Sequence, residues 1–236
     1  MTSSPDTSGI LVCAGNATRM QGQNKILLPL GQTNVIGMSM LAMEHCDRIA
    51  EFIVVARPSD HDAIQKTIAG LQLKKCSAIV PGGATRQESV LNGVRAASKE
   101  TKLFAIHDGA RPLVNGEIIE RAVDGAREFS ACVASMPVKD TIKAADAEGF
   151  SASTPDRSTL WQIQTPQAFR FGLIYRAYEK VFAPGTDRSR ITDDAMVVEL
   201  MTDTKVKFIE GSYSNIKVTT PEDMIIAEAL CAHRVQ

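Results

Sequence analysis

Gly9-Ile10-Leu11-Val12-Cys13-Ala14-Gly15 runs directly into Asn16-Ala17-Thr18-Arg19-Met20, and Lys25 follows shortly after. The apolar run over residues 10–14 reads as a buried strand that ends in small residues. Small residues let main-chain N–H groups come close to phosphate oxygens, and cations just beyond neutralise the charge. This is how an α/β protein builds a phosphate cradle. A Walker A loop is excluded, because nothing after Gly15 supplies Gly-Lys-Ser/Thr at the required spacing. A dinucleotide fingerprint is excluded too, since Ala17 and Arg19 stand where two of its glycines belong. What remains is a small-residue turn, Arg19-Met20, Lys25 and the apolar stretch Leu27-Leu28-Pro29-Leu30.

Working outward, strand and helix patterns alternate. Helices are predicted over residues 35–46, 60–71, 85–98 and 116–129, and strands over 51–56, 77–80, 103–107 and 131–137. Residues 138–165 lack a helical period and are polar and β-branched, which predicts a β-arm with Glu148-Gly149 near its tip. A helix over 170–182, a second capped by Thr192-Asp193-Asp194 and running to 201, and a strand over 206–210 follow. The chain closes with an extended piece over 215–219 and a helix over 221–233, with Pro221 at its first position.

The expected fold class is therefore α/β: a Rossmann-like, mostly parallel mixed sheet flanked by helices, with a protruding β-arm. Residues 9–236 form a single domain, and the polar residues 1–8 are expected to be a disordered tail rather than a signal peptide. Ligands of such sheets bind beyond the carboxyl ends of the strands, where the loops after residues 14, 80 and 107 all open.

Composition narrows the partners. With a net charge of −1 and a pI near 6.4, no general attraction to nucleic acid or anionic membrane is expected. Anion binding must come from a few converging cations. Five scattered cysteines without Cys-x-x-Cys spacing read as reduced thiols, and apolar runs are no longer than strands. A cytoplasmic location with no membrane span is the expectation.

Two further segments carry chemistry. In Pro81-Gly82-Gly83-Ala84-Thr85-Arg86-Gln87-Glu88-Ser89 the glycines allow close backbone approach to a flat ligand, and Ser89 would face it from the helix start. His107-Asp108-Gly109-Ala110-Arg111-Pro112 places an acid and a cation at the same edge. Asp108 suits a ribose hydroxyl or a Mg²⁺ ion, while His107 reads as a strand-end residue satisfied by hydrogen bonds. Arg111 reads equally as a ligand contact or an ion-pair partner.

In order and spacing these segments, together with Asp140-Thr141…Lys143, Asp156-Arg157…Leu160-Trp161, Thr165-Pro166-Gln167, Thr192-Asp193 and Asn215-Ile216-Lys217-Val218-Thr219, resemble the 2-C-methyl-D-erythritol 4-phosphate cytidylyltransferase family of non-mevalonate isoprenoid biosynthesis. The resemblance runs from about residue 10 to 230. It implies phosphate-stabilising, catalytic roles for Arg19, Lys25 and Lys217, and nucleotide binding by Ala14, Gly15, Gly83, Ser89 and Asp108. It assigns the polyol phosphate to Thr141, Arg157 and Thr192, and a direct or indirect Mg²⁺ contact to Asp108. The substrates implied are CTP and a polyol phosphate, in a homodimer whose arms reach across to the partner's site. Ribitol 5-phosphate is the alternative acceptor. The chain departs from the family pattern at Cys13, Ala17, Asn24 and Ala84, where the family usually has Ala, Gly, Pro and an acid.

Overall fold

Side chains along a strand alternate between the two faces of its sheet, so a strand covered on both sides is apolar in both registers. The chain, seen here in a computed structural model that describes residues 5–15 and 24–234, is organised around strands of that kind. It begins with β1 (Thr7–Val12), a short ribbon of β2 (Pro29–Leu30) and β3 (Thr33–Asn34), and α1 (Val35–His45). Three strand–helix units follow: β4 (Ile49–Ala56) with α2 (His61–Gly70), β5 (Cys76–Pro81) with α3 (Arg86–Ala96), and β6 (Leu103–Asp108) with α4 (Gly116–Phe129). Then come β7 (Ala131–Pro137), the hairpin β8 (Ala144–Ala145) and β9 (Ser151–Ser153), and β10 (Trp161–Arg170). The course ends with α5 (Phe171–Val181), α6 (Asp194–Met201), β11 (Lys207–Glu210) and α7 (Pro221–Arg234).

Seven strands form one sheet in the order β11-β7-β10-β6-β1-β4-β5. Its pairs are parallel except those of β10, which lies antiparallel to both β6 and β7. Alternation sorts the core into two layers. Leu11, Phe52, Val54 and Ala56 pack on one face with α1, α2 and α4 residues such as Met40, Ile64 and Ile119. Ile10, Ile53, Val55 and Phe104 pack on the other with Val90, Ile174 and Val198 of α3, α5 and α6. Helix starts follow their cap residues: Thr85, Asn115 and Asp193 each accept a main-chain N–H of the first turn. Among the described residues no helix is long and apolar enough to cross a membrane.

Three sequence expectations need correction. Residues 7 and 8, read as part of a tail, belong to β1; Ser8 Oγ donates to Glu51 Oε1 at 2.8 Å and Asp6 pairs with Arg127. Their partners lie far along the chain, so local polarity misled. The first strand also stops at Val12, not at residue 14. The largest miss is β10. Its centre, Gln164-Thr165-Pro166-Gln167, reads as polar and strand-breaking, yet it is buried in mid-sheet. Proline there is tolerated because pairing with β7 is interrupted between Ile163 and Gln167. The polar groups are satisfied: Gln164 Nε2 donates to Ser212 O at 2.7 Å, and Gln167 Nε2 to Asp193 Oδ2 at 2.8 Å. Consequently the arm is shorter than 138–165. Residues 139–159 are exposed along their whole length and carry the separate β8–β9 hairpin.

Candidate active site

The loops after β1, β4, β5 and β6 share one edge and are laced together by main-chain hydrogen bonds. Cys13 N–H donates to Val55 O at 2.7 Å, Gly82 N–H to Ala56 O at 2.9 Å, and Gly109 N–H to Val12 O at 3.1 Å. Between them opens a cavity of about 490 Å³. It gathers Ala14, Gly15, Lys25, Gly83, Ser89, Asp108 and Lys217, residues from opposite ends of the chain. Arg19 lies outside the described residues.

The two glycines line the cavity, and each also admits a close protein neighbour. A Cβ on Gly82 would collide with Ala14 Cβ, and one on Gly83 with Glu88 Cβ, so each admits a neighbouring protein segment. Ser89 is likewise committed to shaping this turn. Its hydroxyl accepts from Gly83 N–H at 3.0 Å and donates to Thr85 O at 2.9 Å. The result is a closely fitted wall, with the Gly83 N–H already used internally.

Electrostatics centre on Asp108, the one carboxylate that lines the cavity among the described residues. Lys217 Nζ lies 2.7 Å from Oδ2, Arg86 Nη2 3.6 Å from Oδ1, and Arg111 Nε 4.0 Å from Oδ2. Burial opposes its ionisation, but Arg86 and Lys217 prevail and hold the carboxyl well below the usual range. Burial pushes the neighbouring His107 imidazole down to about 4, so the ring is neutral at physiological pH. Its nitrogens face Arg111 O at 3.2 Å and Thr165 Oγ1 at 3.0 Å, which fits the structural role read for it. Arg111 is an ion-pair and scaffold residue: it donates from Nη1 to Asn215 O at 2.8 Å. The Cys13 thiol lines the cavity, and burial with Asp108 and Asp60 nearby pushes its pKa up, so it stays protonated.

Lys217 is held in place by β10. Buried Asn215 donates from Nδ2 to Gln164 Oε1 at 3.1 Å and to Thr165 O at 2.9 Å, and Val218 N–H donates to Ala110 O at 2.8 Å. The strand missed in the sequence therefore anchors the loop that delivers this cation.

Residues 8–233 match the family of 2-C-methyl-D-erythritol 4-phosphate cytidylyltransferase. The chain belongs to this family. It is accordingly a nucleotidyltransferase enzyme. It is 43% identical over 225 residues to the 2-C-methyl-D-erythritol 4-phosphate cytidylyltransferase of Caldanaerobacter subterraneus subsp. tengcongensis, covering 94% of this chain and 97% of that protein. The Alkaliphilus oremlandii protein of the same name is 42% identical over 230 residues, with 97% and 96% covered. In three dimensions the chain is similar to 4-diphosphocytidyl-2C-methyl-D-erythritolsynthase from Anaerococcus prevotii, with a TM-score of 0.85 and 32% identity over 97% of each chain.

Within this cytidylyltransferase fold, Thr141, Arg157 and Thr192, the residues expected to meet the acceptor, do not line the cavity of their own chain. Thr141 and Arg157 lie on the exposed arm, where Arg157 Nη1 donates to Lys139 O at 2.8 Å. Thr192 is exposed just before α6, two residues from the buried Asp194. Asp194 is one of the residues that sequence reasoning missed. Its Oδ2 accepts from Arg86 Nη2 at 2.6 Å and its Oδ1 from the Tyr178 hydroxyl, which ties the Thr192 turn to the cavity wall. Burial opposes charge on Arg86, but Asp194 and Asp108 outweigh it and keep the guanidinium charged. Arg86 had a signal, its place in Gly82-Gly83-x-x-Arg86; Asp194 had none, because it reads as a helix-capping acid.

The donor set can be tested against a divalent cation. Among the described residues no cluster of three or more His, Cys, Asp or Glu could hold a metal unaided. A single carboxylate, Asp108, beside a cavity lined by cations fits a Mg²⁺ ion carried mostly by phosphate oxygens.

Proposed function

We infer that the protein transfers a cytidylyl group from CTP to 2-C-methyl-D-erythritol 4-phosphate, giving 4-diphosphocytidyl-2-C-methyl-D-erythritol and pyrophosphate for isoprenoid precursor synthesis. The observation that carries this reading is the convergence of Lys25, Lys217 and Asp108 with Ala14, Gly15, Gly83 and Ser89 on one cavity. The acceptor is a phosphate monoester, already largely ionised near neutral pH, so its oxygen attacks the α-phosphorus of CTP without a side-chain base. A neutral His107 and a protonated Cys13 suit a site that needs none. Positioning and charge stabilisation then supply the rate: Lys25 and Lys217 face the charge that develops as pyrophosphate departs. Asp108 would hold Mg²⁺, which when bound neutralises phosphate charge.

The exposed arm supports a homodimer. Thr141 and Arg157 are exposed and absent from their own cavity, so a second copy's arm would present them to the acceptor phosphate, with Arg157 offering a two-point fork. A cytoplasmic setting, where the five free cysteines stay reduced, completes the reading.

The test is a pyrophosphate-release screen of CTP, UTP, ATP and GTP against methylerythritol phosphate and ribitol 5-phosphate, followed down an enzyme dilution series. CTP with methylerythritol phosphate is expected to give the highest kcat/KM, and specific activity is expected to fall as dimers dissociate. Preference for another nucleotide or for ribitol phosphate would refute the substrate assignment, and undiminished activity of a monomer would refute the shared site.

A further inference from the structure

Arg57 follows the last residue of β4, and β4 lies between β1 and β5. Its side chain therefore stands between the loops at residues 13–15 and 82–84, and it lines the same cavity as Lys25 and Lys217. The sequence marked it only as the end of a strand. Pro58 opens a tight turn over Pro58–Asp60, which brings Asp60 back under the arginine. Arg57 Nε lies 2.8 Å from Asp60 Oδ2, and Nη2 lies 3.2 Å from Oδ1.

That fork fixes the guanidinium plane. Asp60 is 5% exposed and so is itself fixed, while the Arg57 side chain is 32% exposed. A guanidinium carries more N–H donors than the fork uses, and Nη1 bonds to none of the described residues. The plain alternative is that Arg57 merely neutralises a buried carboxylate. Such a role does not require a place on the cavity wall, nor a donor face left over.

Position selects the target. With Thr192 assigned to the acceptor, the acceptor would approach from its side, and that turn is tied through Asp194 and Arg86 to Asp108 at the end of β6. In-line displacement sends the leaving group away from the attacking oxygen. β4, and with it the Arg57–Asp60 pair, lies across β1 from β6 and Asp108, on the opposite side of the shared cavity. We propose that Arg57, braced by Asp60, donates to the β- and γ-phosphates of CTP and steadies the departing pyrophosphate, a role resting on the nucleotide reading of this cavity. Because Asp60 already balances its charge, Arg57 contributes directed hydrogen bonds more than net potential.

Calorimetric titration of CTP, CDP and CMP into the wild-type protein, Arg57→Gln and Arg57→Lys tests this. Arg57→Gln is expected to weaken CTP about 10-fold, CDP less and CMP hardly at all, since a hydrogen bond to a charged group is worth that much. Arg57→Lys keeps a charge for Asp60 but loses the fork, so it should show the same graded loss, and it carries the test should Arg57→Gln fail to fold. An equal loss for all three nucleotides, or none for CTP, overturns the role of Arg57 alone. Wild-type protein that bound none of them would overturn the nucleotide reading as well.

Discussion

Replacing Lys217 by alanine is expected to lower kcat by about 10²–10³ and to leave the fold intact. The size follows from comparable losses when one preorganised donor to a developing oxyanion is removed. The intact fold follows from the surroundings of Asp108. Lys217 is 42% exposed on its side chain, and without it the carboxylate still faces Arg86 at 3.6 Å and Arg111 at 4.0 Å. No uncompensated buried charge results, which is the usual cause of severe destabilisation. The 215–218 loop also keeps its anchors on Gln164, Thr165 and Ala110. Turnover at saturating CTP and acceptor, with a thermal melt as control, decides the matter. Near-normal kcat, or a melt displaced by many degrees, would remove Lys217 from the chemistry.

Asp194→Ala has the opposite profile. Asp194 is fully buried and holds two groups at once: the Arg86 guanidinium at 2.6 Å and the Tyr178 hydroxyl. Truncation leaves Arg86 three-quarters buried beside a single, more distant carboxylate. It also strips the partner from a tyrosine that is the largest fully buried side chain among the described residues. Breaking a buried ion pair from one side costs about 3–5 kcal/mol, enough to threaten a domain of ordinary stability. Urea unfolding of the two proteins measures it. A loss below about 1 kcal/mol would mean that the Arg86–Asp194 contact is not a structural keystone between α3 and α6.

What could be read from the sequence is what depends on local pattern. Alternating strand and helix periods predicted the sheet and its flanking helices, because both faces of β1, β4 and β6 must be apolar and the helices between them keep one apolar side. The cap of α6, Asp193, lies within the Thr192-Asp193-Asp194 run that suggested it. Lys25, Asp108 and Lys217 were found through motif order, and they do share a cavity.

What escaped depends on partners distant in the chain. β10 is polar at its centre, and bonds to distant partners such as Ser212, Asn215, Asp193 and His107 make burial of Gln164, Gln167 and Thr165 acceptable. Asp6, Thr7 and Ser8 looked like tail because Arg127, Glu51 and Thr101, which hold this segment, come from other elements. Arg57 and Asp194 carried no motif, and their significance arises only from what the fold sets beside them. The same limit applies to Gly82 and Gly83, whose small size serves Ala14 and Glu88 as well as any ligand.

A crystal structure with CTP bound tests the central claim most directly. The account predicts the nucleotide in the cavity at the end of β1, β5 and β6, its phosphates against Lys25 and Lys217, and the 2.7 Å Lys217–Asp108 pair opened in favour of phosphate. CTP seated elsewhere, or phosphates bound with Lys217 still closed on Asp108, would contradict it.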